Sequence, residues 1–215
     1  MFDLKNTESL FIKMSKANKH YIFGYGSLIN SLSRAVTGES GSVLPVKVSG
    51  YERSWCVMSP DFGMSSVAVV QREGALCNGV LVEVPESEIP HFDLRERGYQ
   101  RTRIEAHQIQ AYQEVELPEG TLWVYHACEI VAPTHSCPIA LSYADVILAG
   151  CIEHGHDFAL EFIALTKGWE YPALNDRVEP RYPRVQRQLH TPLLNRLVAD
   201  VISLSDAQLS ASYTE

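Results

Sequence analysis

Residues 23–29 read FGYGSLI and are the first segment whose residue types could do chemistry. A short apolar stretch runs into Gly24 and Gly26, and glycine lets the backbone turn sharply. Successive N–H groups that point to one side of such a turn bind anions. A dinucleotide-binding fingerprint is excluded, because Ile29 stands where its third glycine is needed. An anion-binding loop and an ordinary turn at the end of a strand both remain open.

A second candidate is the segment FDLRERGY, residues 92–99, in which acidic and basic side chains alternate closely. Asp93 and Glu96 lie three residues apart, a spacing that brings two side chains to the same face of a helix. A carboxylate held in a pocket is a candidate general acid or base. Composition alone favours the other interpretation, an ordinary cluster of surface ion pairs.

Tyr143 is the third candidate, because its phenol can form a hydrogen bond with a ligand. Its spacing from Gly150 predicts a helix, and spacing alone favours a tyrosine of the core. His154 and His156 have no partners at the spacing of a zinc site. We therefore expect no metal site.

Among the elements that position these candidates, most strands come early in the chain and most helices come late. Strand patterns, with β-branched and aromatic residues between turn signals, occur at 21–23, 43–57, 65–71, 76–84, 99–109 and 121–130. A turn at 73–74 is predicted to separate the two middle strands. Helical patterns occur at 86–96 and around Tyr143, Phe158 and Leu193. This order favours an α+β fold with a curved, largely antiparallel sheet.

Composition limits the possible binding partners and the cellular compartment of the protein. The 215 residues are 46% hydrophobic and 20% charged, which is typical of a globular protein. A net charge of −8 argues against binding to nucleic acid or to an anionic membrane. No apolar run approaches the roughly 20 residues of a membrane span, and residues 1–19 lack the apolar stretch of a signal peptide. Five cysteines without a CxxC pair favour a reducing compartment, the cytoplasm.

Residues 176–196 depart from this acidic balance, with five arginines against two acids. Mixed charge of this kind is typical of a solvated surface. Residues 168–183 are rich in proline and aromatic residues and are expected to cross the surface in an extended conformation. An amphipathic helix that begins near Leu193 is predicted to pack on the body of the protein.

In this order and spacing, FGYGSLI, FDLRERGY and SYADVILAGCIEHG resemble segments of the γ-glutamylcyclotransferase superfamily. Members of that family cleave γ-glutamyl amides to 5-oxoproline. The likeness covers residues 20–168, after a polar lead-in at 1–19 and before a C-terminal segment and helix at 169–215 that pack on the same domain. The resemblance implies an α+β fold built on a small closed or nearly closed mixed β-barrel with surrounding helices.

The resemblance also implies site residues. The catalytic carboxylate falls on Glu96 and not on Asp93, and one branch of the family has a substrate-binding tyrosine at the position of Tyr143. FGYGSLI resembles the glutathione-specific branch, whereas RERGY is one glycine shorter than that branch's RE-x-GGY. The GCIEHG turn resembles the general branch. The substrate loop falls on Tyr25, Gly26, Ser27 and Leu28.

The implied function is a cyclotransferase that releases 5-oxoproline from a γ-glutamyl peptide or amine, with glutathione among the candidates. The α-amine of such a substrate is its own nucleophile, so ring closure gains the proximity of an intramolecular reaction. A carboxylate is needed to take up a proton and return it, and neither a metal nor an organic cofactor has a role in this implied reaction. A non-catalytic protein of the same fold that binds a γ-glutamyl-like ligand is the alternative. The expected partner is this small molecule, and the sequence makes no prediction of oligomeric state.

Overall fold

The computed structural model describes residues 19–38, 40–185, 189–204 and 208, so the predicted lead-in lies outside the described residues except for Lys19. The helices within these ranges are α1 Ser31–Ala35, α2 Ile89–Arg95, α3 Leu141–Glu153, α4 His156–Ala164 and α5 Thr191–Val198. The strands are β1 His20–Gly24, β2 Val43–Ser59, β3 Met64–Val84, β4 Tyr99–Arg103, β5 Ile109–Ala111, β6 Thr121–Ala127, β7 Ile139–Ala140, β8 Thr166–Lys167 and β9 Ala173–Leu174. Short 3-10 turns occur at Ser27–Ile29, Pro60–Phe62, Glu86–Glu88 and Ala106–Gln108.

The described strands form one mixed sheet, and helices pack against it, so the predicted α+β class is confirmed. The main path runs β4-β6-β1-β3-β2-β5. β1 pairs antiparallel with β3 and parallel with β6, which brings the loop after β1 to the middle of the sheet. Closure into a barrel is not confirmed, because the end strands β4 and β5 do not pair with each other in the described part of the chain.

The long β2–β3 hairpin contains the predicted turn at 73–74, but this turn does not reverse the chain. β3 continues through it as one strand, and the register with β2 shifts between Ser49 and Tyr51. Gly50 and Gly74 lie within this irregularity with φ values of +87° and +76°. Extra residues on one strand form a bulge that bends the strand instead of ending it. The prediction of two separate strands was therefore wrong.

The predicted strand at 99–109 is divided as well. Its first part, β4, pairs with β6, whereas β5 begins only at Ile109 and pairs with β2. A 3-10 turn at Ala106–Gln108 separates them, and Glu105 and Gln108 close it with a reciprocal capping box. The capped turn interrupts the strand. It connects β4, at one end of the main path of the sheet, to β5 at the other end.

The main hydrophobic core lies between the sheet and helices α3, α4 and α5. Gly150 lets α3 approach the loop after β1, because a Cβ at this position would lie 2.4 Å from the backbone nitrogen of Asn30. Glu153, at the end of α3, accepts hydrogen bonds from the backbone N–H of Ser31. These contacts hold α3 directly behind the loop. Across the described ranges no helix combines the length and the apolar character that crossing a bilayer requires.

The predicted surface segment lies on the surface only in part. Residues 178–181 are exposed, whereas Asp176, Arg177 and Tyr182 are buried. The Arg177 guanidinium donates to both carboxylate oxygens of Asp145 on α3, at 2.6 and 2.8 Å. Asp176 accepts from the backbone N–H of Ser142 at 2.8 Å, in the first turn of α3. Burial of these charges is possible because each one meets its partner. The predicted C-terminal helix is confirmed as α5, which begins at Thr191 and packs its apolar face on the core.

Candidate active site

A cavity of about 230 Å³ opens between the sheet, α3 and the C-terminal segment. Its walls come from residues 24–28, the end of α2, the tip of the β2–β3 hairpin, α3 and residues 182–184. The structure brings the six residues of the predicted site to this one cavity, and these are Tyr25, Gly26, Ser27, Leu28, Glu96 and Tyr143. Segments that lie far apart in the sequence therefore meet at a single concave surface.

The loop that follows β1 forms the inner wall. Gly26 has φ −134°, so glycine is not required there for a left-handed conformation. It is required for space, since a Cβ would lie 3.1 Å from Val67 Cγ2 and 3.2 Å from the Tyr143 hydroxyl. The 3-10 turn Ser27–Ile29 follows without a side-chain cap. The first N–H groups of a helical turn have no partner within the turn, so those of Ser27 and Leu28 are available donors.

The loop is held from behind by two buried arginines. Arg34 donates to the carbonyl oxygens of Leu28 and Ile29 at 2.7 and 2.6 Å. Arg53 donates to the carbonyl oxygen of Tyr25 at 3.4 Å and to that of Asn78 at 2.6 Å. Each arginine bridges groups that would otherwise be unpaired in the interior. The sequence contained no signal for the role of Arg53, because that role depends on contacts between distant segments. The contacts of Arg34 are local, with carbonyl groups five and six residues earlier.

Glu96 supplies the carboxylate of the cavity. It is the C-terminal cap of α2, and its backbone N–H donates to the Phe92 carbonyl at 2.8 Å. Nε and one terminal nitrogen of Arg95 contact the Oε1 atom of Glu96 at 2.8 and 2.7 Å, and the Arg95 guanidinium lies 4.5 Å from the centre of the Phe92 ring. Among the described residues none forms a hydrogen bond with Oε2. The ion pair favoured by composition is present, and one oxygen of the carboxylate remains open.

Asp93 faces a different environment. It does not line the cavity, and its Oδ1 accepts from the Tyr125 hydroxyl at 2.8 Å and from Arg101 Nε at 3.1 Å. The expected shared helix face does not form, because α2 ends at Arg95 and Glu96 has φ −90° and ψ 35°. The end of the helix thus separates the two acids.

Tyr143 lies at the start of α3 and belongs to both the core and the cavity wall. Its ring contacts Trp55 edge-on at 5.8 Å and the Tyr182 ring at 4.8 Å, between centroids. Burial raises the pKa of the Tyr143 hydroxyl, and nearby Tyr182 and Tyr99 raise it further. The hydroxyl is therefore a proton donor at neutral pH.

Two more tyrosines surround Glu96. Burial raises the pKa of the Tyr25 hydroxyl, with Tyr99 and Glu96 adding to the shift, and Tyr25 donates to the Tyr125 carbonyl at 2.6 Å. Burial likewise raises the pKa of Tyr99, followed by the charge of Glu96. Both phenols are therefore protonated at neutral pH, and both residues line the same cavity as Glu96. Sequence reasoning missed Tyr99, although it stands directly after Gly98 in the same RERGY segment.

Tyr182 and Arg184 were also missed, because the segment that carries them was interpreted as solvated surface. Both line the cavity. The available signal was a tyrosine and an arginine close together in a proline-rich segment. The mixed charge around them favoured a surface segment instead.

Comparisons with known proteins concern the fold. No family model matches the chain, and no curated protein matches it either. A solved structure described as a γ-glutamyl cyclotransferase matches with a TM-score of 0.58 and 15% identity, over 85% of this chain and 99% of that one. An uncharacterized protein from Homo sapiens matches with a TM-score of 0.55 and 16% identity, over 69% of this chain and 88% of the other.

The chain therefore has the γ-glutamyl cyclotransferase-like fold that the sequence resemblance implied. Similarity at 15% and 16% identity defines the fold alone, because one fold can carry many functions and function depends on the site.

Proposed function

We propose that the protein is a γ-glutamyl cyclotransferase that releases 5-oxoproline from a γ-glutamyl peptide or amine. One observation carries the proposal: an open carboxylate oxygen of Glu96 and a turn with uncapped N–H groups line the same cavity. A base and a set of hydrogen-bond donors are what an intramolecular acyl transfer needs from an enzyme.

The substrate supplies its own nucleophile, so the protein needs none. Glu96 Oε2 binds the α-ammonium group and takes up one proton, and the freed nitrogen attacks the γ-carbonyl carbon. A bond forms between these two atoms and closes the five-membered ring. The bond from the γ-carbon to the leaving nitrogen then breaks as Glu96 returns the proton to that nitrogen. The ring nitrogen gives up its second proton in the same way, through Glu96 to the released amine, so the lactam is neutral and the amine leaves as an ammonium ion. The products are 5-oxoproline and a free amine.

The loop after β1 provides the donors in this proposal. The N–H groups of Ser27 and Leu28 hold either the α-carboxylate of the substrate or the oxyanion that develops on the γ-carbonyl oxygen. The protonated hydroxyl of Tyr143 lies close to Gly26 and adds a further donor. Arg34 and Arg53 keep the loop in position from behind.

Arg95 has an orienting role. By binding Oε1 it fixes the rotamer of the Glu96 side chain and leaves Oε2 directed away from the pair. Its guanidinium is itself held over the Phe92 ring, which belongs to the core beneath α2. A base held in one geometry loses less entropy when the substrate binds.

The same ion pair favours the second candidate, a non-catalytic protein that binds a γ-glutamyl-like ligand. An acid already paired with arginine has part of its capacity satisfied. Incubation with glutathione, γ-glutamyl dipeptides and γ-glutamyl amines, followed by measurement of 5-oxoproline, tests the two against each other. Release from any of these compounds supports the enzyme. A rise in melting temperature with one compound, without release from any, supports the binding protein.

A further inference from the structure

The outer wall of the cavity comes from the part of the chain that lies outside the sequence resemblance. Tyr182, Pro183 and Arg184 line the cavity, and buried contacts fix the residues before them. Arg177 is paired with Asp145 inside the protein. The wall is therefore a built part of the structure and is not a loosely attached tail.

Arg184 brings an uncompensated positive charge to this wall. It is half-buried, its guanidinium lies 5.2 Å from the centre of the Tyr182 ring, and no acid in the described part of the chain forms an ion pair with it. Arg95, the other arginine that lines the cavity, has Glu96 as its partner. The planar guanidinium matches the geometry of a carboxylate and binds it through two parallel hydrogen bonds.

Tyr182 has an unsatisfied hydroxyl at the same place. The residue is 5% exposed, and within the described ranges its hydroxyl has no hydrogen-bond partner. Buried polar groups nearly always have a partner. The hydroxyl is closed to solvent, so the polar group of this wall that a ligand can reach is the half-buried Arg184 guanidinium over the ring.

The order of the residues along the cavity wall indicates which end of a substrate would lie at Tyr182 and Arg184. The Tyr143 hydroxyl lies beside Gly26 of the loop, the Tyr143 ring contacts the Tyr182 ring at 4.8 Å, and Arg184 lies over Tyr182. Two aromatic rings thus separate the Arg184 guanidinium from the loop. With the γ-glutamyl group at the loop and Glu96, the rest of the substrate extends toward Tyr182 and Arg184.

We propose that Tyr182 and Arg184 form a subsite for the leaving part of the substrate, and that this part carries a carboxylate. The inference rests on the proposed function and narrows it. The substrates would be γ-glutamyl amino acids or peptides whose free carboxylate reaches Arg184, and γ-glutamyl amines without this group would be poor substrates.

The test compares γ-glutamyl-alanine with its C-terminal amide, because the two compounds differ only in the charged group. A hydrogen bond to a charged group predicts a kcat/KM about 10- to 100-fold higher for the carboxylate. Arg184→Gln removes this preference by lowering the rate with the carboxylate about 10- to 100-fold more than the rate with the amide. Arg184→Lys keeps the charge and retains part of the preference. Arg196→Gln, an exposed arginine of α5 outside the cavity, removes the same charge and retains the whole preference.

Equal turnover of the two compounds by the wild type, or equal loss with both in Arg184→Gln, would overturn the subsite while the proposed function stands. If the wild type releases no 5-oxoproline from this pair or from any compound of the panel above, the proposed function fails, and calorimetry on the wild type with the same pair decides the subsite. Tighter binding of the carboxylate that Arg184→Gln abolishes supports it. Equal binding, or no binding of either compound, overturns it.

Discussion

Two arginine–carboxylate pairs of this protein differ both in geometry and in surroundings. In the pair of Arg177 and Asp145 both side chains are 0% exposed, and the guanidinium uses both oxygens of the carboxylate. In the pair of Arg95 and Glu96 the side chains are 30% and 23% exposed, and only Oε1 is engaged. A buried carboxylate whose two oxygens are both engaged has no atom left for chemistry, whereas one with an open oxygen beside a cavity is available for it.

Replacement of the open carboxylate has the largest expected effect on activity. Glu96→Gln keeps the shape of the side chain but cannot take up the proton, so kcat should fall by the roughly 10²- to 10⁴-fold of a lost general base. The melting temperature should change little, because a partly exposed ion pair contributes about 0 to 1 kcal/mol. Release of 5-oxoproline and thermal unfolding are the two measurements.

Asp93→Asn is the matched control for this variant, since its carboxylate lies three residues away and does not line the cavity. It should keep turnover near that of the wild type. If Asp93→Asn abolishes turnover in a folded protein and Glu96→Gln retains it, the assignment of the catalytic acid is wrong.

Disruption of the buried pair should have the opposite signature. Asp145→Asn leaves the Arg177 guanidinium without its charge partner in the interior, which should lower the free energy of unfolding by about 3 to 5 kcal/mol. Urea denaturation measures this change. Glu96→Gln, the corresponding change of the acid at the partly exposed pair, should cost no more than about 1 kcal/mol. Similar losses in the two variants would remove the distinction between the pairs.

A substitution in the loop after β1 tests whether this loop tolerates a small change in shape. Gly26→Ala adds a Cβ that presses on Val67 and on the Tyr143 hydroxyl, and a displacement of about 1 Å at a reacting group costs on the order of 10²-fold in rate. We expect kcat/KM to fall by about 10- to 100-fold. Steady-state kinetics with the best substrate of the panel test this expectation.

Gly74→Ala serves as the control for Gly26→Ala. Gly74 has φ +76°, and a Cβ there meets no atom within 4 Å, so the cost of about 1 to 2 kcal/mol for a left-handed residue should appear in stability alone. Unchanged kinetics in Gly26→Ala would mean that the turn is only structural.

The smallest expected effect is that of a chelator. The proposed ring closure uses an open carboxylate oxygen and an amine that the substrate already holds, so it requires no Lewis acid. Activity should therefore be unchanged after exhaustive treatment with a chelator. Activity that is lost in this way and restored by one divalent ion would contradict the role given to Glu96.

Local patterns predicted a large share of the fold. The apolar stretch before Gly24, the strand pattern of β6 and the helical spacing of α3 each depend on residues close in sequence, and each element formed where it was expected. Strand ends were predicted less well. Whether the glycine at 74 ends a strand or bends it depends on the register with β2, which is not a local property.

The sequence by itself determined the α+β class, the glycine-bearing loop and, through the family resemblance, the choice of Glu96 over Asp93. Only the tertiary structure decided that α2 ends between these two acids, so that one lies in the cavity and the other on Arg101. It also decided which of the arginines after residue 176 is buried and which one reaches the cavity. Arg177 is buried because Asp145, 32 residues earlier, offers the compensating charge, and Arg184 reaches the cavity because that buried pair anchors the segment before it. A sequence pattern records which charges are present, whereas burial depends on which of them meet in the folded chain.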